Sequence, residues 1–160
     1  MNLHLYSDEL FSIQIDMYEL GNTPYAGTPK KVIEECATDK NKFAIAVSDD
    51  VGKLVGFLCI HVGNGPEAYG YHGEKYALLR NISIDERYRG KGYGVKCFEK
   101  IFDFIHQEIN PKITSLILGV NEKNIPAQKA YEKADFKRRE GFVIGRLGNL
   151  IIMEKQKRTA

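Results

Sequence analysis

"RYRGKGYGVK", residues 87–96, places three glycines and four basic residues in ten positions, after one apolar stretch and before another. Around it the hydrophobic period changes. Residues 76–85, YALLRNISID, read as a strand, while from Gly92 onward Val95, Phe98, Ile101, Phe102 and Ile105 fall on one helical face, with Lys96, Lys100 and Asp103 off it. The segment is therefore a strand, a basic glycine turn and an amphipathic helix. A helix start exposes unpaired N–H groups at the positive end of its dipole, so it attracts phosphate. Glycines let a ligand approach bare backbone and tolerate positive φ, and Arg87, Arg89 and Lys91 add charge where a pyrophosphate would lie.

Working outward, residues 42–49 alternate, 49–52 turn and 53–62 continue apolar, which predicts a hairpin. A glycine- and tyrosine-rich loop leads to the strand at 76–84. Downstream, residues 114–120 read as a strand, and 124–136 as a short helix with Asn124 as cap and Pro126 in its first turn. Residues 136–145 and 147–155 read as two further strands. The first forty residues read as helical and irregular. Ser7 caps a helix with Leu10, Ile13 and Met17 at helical spacing, and Thr28 with Pro29 opens a second. The order is that of one mixed α/β layered domain over 1–160: a helical region at 1–40, a sheet-bearing core at 41–155 and a frayed tail at 156–160.

Composition narrows the classes. The chain has 160 residues, 43% hydrophobic and 28% charged, with a formal net charge of +2, which fits one globular domain and makes no case for nucleic acid. The KRR run at 137–139 reads as a solvated strand edge. Cys36, Cys59 and Cys97 form no CxxC pair and read as free thiols of a reducing compartment. No signal peptide and no 18-residue apolar run is visible, so the expectation is a cytoplasmic protein with no membrane partner. His61 and His72 lack metal-ligand spacing to any other ligand type, and no metal is expected.

The phosphate ligand can be narrowed by elimination. A P-loop requires GxxxxGK followed by Ser or Thr, and a dinucleotide fingerprint requires a third glycine where Val95 or Cys97 stands; both fail. Arg89-Gly90-Lys91-Gly92-Tyr93-Gly94 reads R-x-x-G-x-G, and Arg87 to Gly92 fits the same pattern in a second frame. With the strand before it, this resembles the acetyl-CoA-binding motif of the GNAT superfamily of acyl-CoA N-acyltransferases. About thirty residues on, NEKNIPAQKAYEKADF resembles that superfamily's next segment, with Asn124, Ala127, Tyr131 and Phe136 in matching positions. The resemblance covers roughly residues 40 to 155 in segment order.

The resemblance implies a GNAT-like sheet, mixed but mostly antiparallel, splayed between its fourth and fifth strands and flanked by helices on both faces. It implies acetyl-CoA as cofactor, bound by Arg89, Gly90, Lys91, Gly92, Tyr93 and Gly94, with Asn124 and Ala127 near the pantetheine. It makes Tyr131 the general acid toward the thiolate and the Ile82 N–H the oxyanion donor, with Ser83 and Ile84 next along the strand. It also implies acetyl transfer to the amine of a small molecule, and dimers are common among such proteins, so a homodimer is expected. Residues 78–94 further resemble bacterial polyamine acetyltransferases. Glu19, Tyr25 and Arg80 are the acceptor-side candidates, while Glu34 and Glu35 read as solvated. A protein N-terminal or lysine acetyltransferase, and a non-catalytic acyl-CoA-binding module, stand as alternatives.

Two departures stand out. Where some relatives carry a glutamate base this chain has Leu78, leaving Glu74, Tyr76, ordered water or an amine that arrives neutral. Asp135 replaces the usual glycine before Phe136, and aspartate tolerates the left-handed conformation that such a helix end requires.

Overall fold

Residues 2–5, expected to be irregular, form a strand. In the computed structural model, which describes residues 1–158, β1 (Asn2–Leu5) pairs antiparallel with β2 (Lys42–Ser48), Asn2 opposite Ser48 and Leu5 opposite Ile45. Four residues are too few to show a period, and their pairing is a long-range contact. Helix α1 (Asp8–Asp16) begins at Ser7, whose Oγ accepts from Leu10 N at 3.4 Å. Its buried face differs from the expected one. Phe11 and Ile15 pack into the core, whereas Leu10, Ile13 and Met17 are 61%, 77% and 63% exposed. Both sets are apolar at helical spacing, and packing with Val32, Ala46, Phe57 and Cys59 selects the set that contains the phenylalanine. Helix α2 (Pro29–Thr38) starts as its sequence requires, with Thr28 capping Lys31 N.

The remaining elements are β3 (Leu54–His61), a single turn α3 (Asn64–Glu67), β4 (Tyr76–Ile84), a 3₁₀ turn (Glu86–Tyr88), α4 (Tyr93–Glu108), β5 (Ser115–Asn121), α5 (Ile125–Lys133), β6 (Lys137–Gly145) and β7 (Gly148–Gln156). They build one seven-stranded sheet in the order β1-β2-β3-β4-β5-β7-β6. Among the described residues only β4 and β5 are parallel neighbours. Because β1 precedes the hairpin, the strand before the glycine turn is the fourth, as the splayed-sheet expectation requires.

Helix α4 buries Cys97, Phe98, Ile101, Phe102 and Ile105 against one sheet face, each worth about 1.5–3 kcal/mol for the larger side chains. Val95, expected on that stripe, is half exposed, and Cys97 takes its place. Helices α1 and α2 cover the opposite face. The KRR run lies on β6, the sheet edge. Arg139, however, turns inward to Glu154 Oε1 at 2.8 Å, and Ser115 Oγ donates to the other carboxylate oxygen. The tail is more ordered than expected: Gln156 belongs to β7 and Lys157 N donates to Thr114 O at 2.8 Å, while residues 159 and 160 lie outside the described ones. The three cysteines are free, with Cys36 and Cys59 sulfurs 3.9 Å apart. Among the described residues no helix is long and apolar enough to cross a membrane.

Candidate active site

The sheet opens where two parallel strands part. Pairing between β4 and β5 covers only Tyr76–Leu78 with Ser115–Ile117. Beyond Leu78 the strands diverge, and a cavity of about 630 Å³ lies between Leu79–Ile84 on one side and Leu118–Asn121 on the other. Peptide groups of β4 that face this gap have no strand partner, which makes them available to a ligand. A bulge sits in the same stretch. Phe57 pairs with Ser83 and Cys59 with Arg80, so β4 carries one extra residue there. Asn81 has φ +54° and its Oδ1 accepts from Gly27 N at 3.1 Å, tying the α1–α2 loop to the bulge. The bulge keeps Ile82 with the core under α4, as Leu79 is, while Ser83 Oγ meets the Tyr18 hydroxyl at 2.8 Å on the other face. Asn81 was missed from sequence, where nothing marks it off from an ordinary strand residue.

The glycine turn sits at the mouth of this gap. Gly90 and Gly92 have φ of +78° and +81°, a region that favours glycine, and Gly92 caps α4 without a side-chain bond. Gly94 has ordinary φ, yet a Cβ there would meet nothing within 4 Å, so its missing side chain leaves open space beside the helix start. The N–H groups of Tyr93, Gly94 and Val95 begin the helix and have no carbonyl one turn back to bond. This donor set in open space fits a pyrophosphate.

The arginines do something other than expected. Asp85, fully buried, accepts from Glu19 N, Arg87 N, Arg87 Nε and Arg87 Nη2 at 2.8–3.1 Å. Burial pushes its carboxyl up, but the Arg87 guanidinium and the two backbone donors outweigh that and hold it below the usual aspartate value. Arg87 also donates to Met17 O, and Arg89 donates to Ile84 O and Leu20 O. Both guanidiniums thus pin the end of α1 to the end of β4. Lys91 is also exposed, its ammonium over the Tyr88 ring at 5.7 Å, and Arg89, for all its carbonyl contacts, lines the cavity. Asp85 is a second residue that sequence reading passed over; the signal was an acid between a strand and a basic turn.

Asn124, as expected, caps α5 by accepting from Ala127 N at 3.4 Å, and Ala127 lines the cavity. The other end of α5 fixes Tyr131. Asp135 has φ +69°, Phe136 N donates to Tyr131 O and Asp135 N to Glu132 O, the two bonds of a Schellman motif. Its apolar contact is Phe136 against Tyr131, ring centroids 5.6 Å apart, with Phe98 completing the cluster. Tyr131 lines the cavity, its hydroxyl has no hydrogen-bond partner among the described residues, and burial pushes its pKa up to about 12. It therefore keeps its proton at neutral pH.

On the acceptor side the structure separates the candidates. Tyr25 and Arg80 line the cavity; Glu19 does not, because its main chain is bound to Asp85 and Glu86 and its carboxylate lies 3.9 Å from Arg87 Nε. Glu34 and Glu35 lie outside the cavity wall. Of the bases considered, Glu74 pairs with Lys112 at 3.2 Å and Tyr76 packs edge-on to Tyr71, and neither reaches the cavity. His61 is buried, Nε2–H bonded to Asn64 Oδ1 and Nδ1 accepting from Arg80; burial lowers its pKa. Tyr69, also missed, lines the cavity and lies against Gly119, where an added Cβ would be 2.6 Å from its oxygen.

A sheet split beside a glycine-led helix, with a half-buried tyrosine in its wall, is the candidate active site. The chain belongs to the acetyltransferase (GNAT) family, whose model matches residues 7–136. It is an N-acetyltransferase, and acetyl-CoA is its co-substrate. It is 28% identical over 131 residues to the uncharacterized N-acetyltransferase YbbJ of Bacillus subtilis (strain 168), covering 81% of this chain and 79% of that protein. It is 32% identical over 95 residues to N-acetylaspartate synthetase of Xenopus tropicalis, covering 59% of this chain and 30% of that one. Among solved structures it resembles aminoglycoside acetyltransferase AAC(6')-Ib with coenzyme A and kanamycin at a TM-score of 0.74 and 16% identity, over 97% and 94% of the two chains. It also resembles a spermidine N-acetyltransferase SpeG chimera from Vibrio cholerae and hSSAT at 0.68 and 18%, over 98% and 96%. At these identities the likeness to solved structures is one of fold.

Proposed function

We propose that the protein transfers the acetyl group of acetyl-CoA to the primary amine of a small molecule by direct attack in the β4–β5 gap. The observation that carries this is Tyr131: a protonated hydroxyl with no hydrogen-bond partner among the described residues, held in the gap wall by the α5 helix end. The bound thioester supplies an electrophilic carbonyl and a sulfur leaving group. The N–H groups of Tyr93, Gly94 and Val95, with Gly90, Lys91 and Gly92 before them, hold its pyrophosphate, and Arg89 contributes by fixing the turn. Ser83, Ile84, Asn124 and Ala127 border the pantetheine.

The Ile82 N–H, on the unpaired stretch of β4, donates to the carbonyl oxygen as charge builds there. A neutral amine nitrogen forms the N–C bond while the C–S bond breaks; the amine loses one proton to water, Tyr131 gives one to sulfur and regains one from water, so an amide and a free thiol result and the acid is restored. With Leu78 where a base could stand and no carboxylate in the gap among the described residues, the amine arrives neutral or sheds its proton through water.

For a polyamine the cavity offers no acidic partner among the described residues: Glu19 is held at Arg87, and Glu34 and Glu35, read as solvated, lie outside the cavity wall. Names of the relatives point both ways, toward aminoglycosides and spermidine on one hand and N-acetylaspartate on the other. Free thiols at Cys36, Cys59 and Cys97 suit a cytoplasmic setting. Replacing Tyr131 with Phe tests the role. The expected result is a fall in kcat of about 100-fold or more with KM for acetyl-CoA unchanged; equal kcat removes the tyrosine from the reaction.

A further inference from the structure

The acceptor end of the gap carries cations and no carboxylate. Arg80 and Arg146 line it with Tyr25, Tyr69 and Asn81, and among the described residues no aspartate or glutamate does. The face on which Arg80 lies matters. Ala77 and Leu79 of β4 belong to the core under α4, whereas Leu78 packs with Tyr69, Tyr71 and Tyr76 on the other face. Arg80, two residues after Leu78 and before the bulge, shares that second face and reaches His61 Nδ1 at 3.3 Å. The phosphate-binding amides lead into α4, across the sheet, so Arg80 is not needed for the cofactor's charge.

Arg146 sits at the tip of the β6–β7 hairpin and donates to Pro24 O at 2.9 Å, which holds that tip against the α1–α2 loop. Each guanidinium has five N–H donors and commits one of its nitrogens to these contacts, so others remain for an anion. Nearby acids do not neutralise the pair. Asp85 is taken by Arg87, Glu154 by Arg139 and Ser115, and His61, its pKa lowered by burial, accepts from Arg80 as a neutral ring.

We infer that the acceptor is an amine that also carries a carboxylate, of the amino-acid class, with the carboxylate held at this arginine-lined end and the amine directed into the β4–β5 gap. Planar guanidinium donors match a carboxylate, and a polycation would meet like charge without a counter-ion. The inference rests on the acetyl-transfer reading above, and the bond exchange is the one given there.

The test is thiol release from acetyl-CoA by the full chain with matched acceptors: aspartate and glutamate, their methyl esters, and spermidine. Esterification removes the carboxylate charge and lowers the basicity of the amine, so a poorer ester cannot be explained by a less available lone pair. The free acids are expected to exceed the esters at least about tenfold in kcat/KM. In Arg80→Ala the KM for the acid should rise about 10- to 100-fold with KM for acetyl-CoA unchanged, and Arg80→Lys should recover part of the loss. Arg146→Ala should narrow the acid-to-ester ratio in the same direction, and the rise in Tm with acetyl-CoA checks that each variant is folded. Esters or spermidine turned over as well as the acids, or a ratio that survives in both alanine variants, overturns the carboxylate site and leaves acetyl transfer standing. Absence of thiol release with every amine overturns acetyl transfer to small amines, and this inference with it.

Discussion

Replacing Gly94 by alanine separates what a glycine does for the free protein from what it does for the cofactor. In the free protein the new methyl meets nothing within 4 Å and φ is ordinary, so no clash and no strain arise. Gly94 lies in the first turn of α4, and alanine there should stabilise the fold by up to about 1 kcal/mol, a rise in Tm of roughly 2–4 °C. For the cofactor the same methyl occupies the space through which a phosphate reaches the helix amides. Loss of one charge-assisted bond costs about 1.5–3 kcal/mol, or roughly 10- to 100-fold in Kd.

Thermal unfolding with and without acetyl-CoA reads both effects. At a ligand concentration 100 times the wild-type Kd, binding adds about 2.7 kcal/mol to stability, and a tenfold weaker Kd leaves about 1.4 kcal/mol. Gly94→Ala should therefore start at or above the wild-type Tm and gain about half the wild-type shift or less. Gly90→Ala, with φ at +78°, should instead lose about 1–2 kcal/mol in the free protein. Unchanged acetyl-CoA affinity in Gly94→Ala would refute the claim that the cofactor lies against this backbone.

Burial pushes the Tyr131 pKa up to about 12, so the acid stays protonated well past the range in which exposed tyrosines ionise. The pH–rate profile should rise as the amine loses its proton and show no falling limb below about pH 11; a fall near pH 9–10 that disappears in Tyr131→Phe would contradict this. Asp85→Asn breaks the buried contact that joins α1 to β4, at a cost of about 2 kcal/mol once the half-exposed Arg87 is allowed for, seen as a Tm lower by about 4–8 °C. Because the folded-state pKa of Asp85 lies below its unfolded value of 3.8, its stabilisation is present above that pH and fades as pH falls through the folded value. Asparagine should flatten that acid-side slope. Asp135→Ala should cost about 1–2 kcal/mol through its φ of +69°, while Asp135→Gly should be no less stable than wild type, the exposed Arg158 pair counting for little.

What the sequence disclosed was chemistry written locally. The caps at Ser7, Thr28 and Asn124, the glycines of the turn, the left-handed Asp135 and the α4 stripe from Phe98 to Ile105 depend on neighbours within a turn of chain, and the structure has each of them, with Val95 the one stripe residue left outside. Features that depend on distant partners were hidden. Helix α1 is apolar on two faces, so only contact with Ala46 and Phe57 decides that Phe11 and Ile15 go inside. Strand β1 exists because β2 offers an edge. The arginines of the turn announce charge, but their commitment to Asp85, Met17, Leu20 and Ile84 is visible only in three dimensions. The split in the sheet is not announced either: beyond Leu78, where pairing with β5 stops, β4 turns more polar at Arg80, Asn81 and Ser83, which in a sequence reads equally well as a strand with one solvated face.

The central claim is that the β4–β5 gap, with the glycine turn at its mouth, is where the acyl-CoA thioester lies. Amide hydrogen exchange with and without coenzyme A measures this directly. The account predicts added protection at residues 79–84, 90–95 and 124–131, with little change on β1 and β2. Protection confined to other segments, or none at saturating coenzyme A, would contradict it.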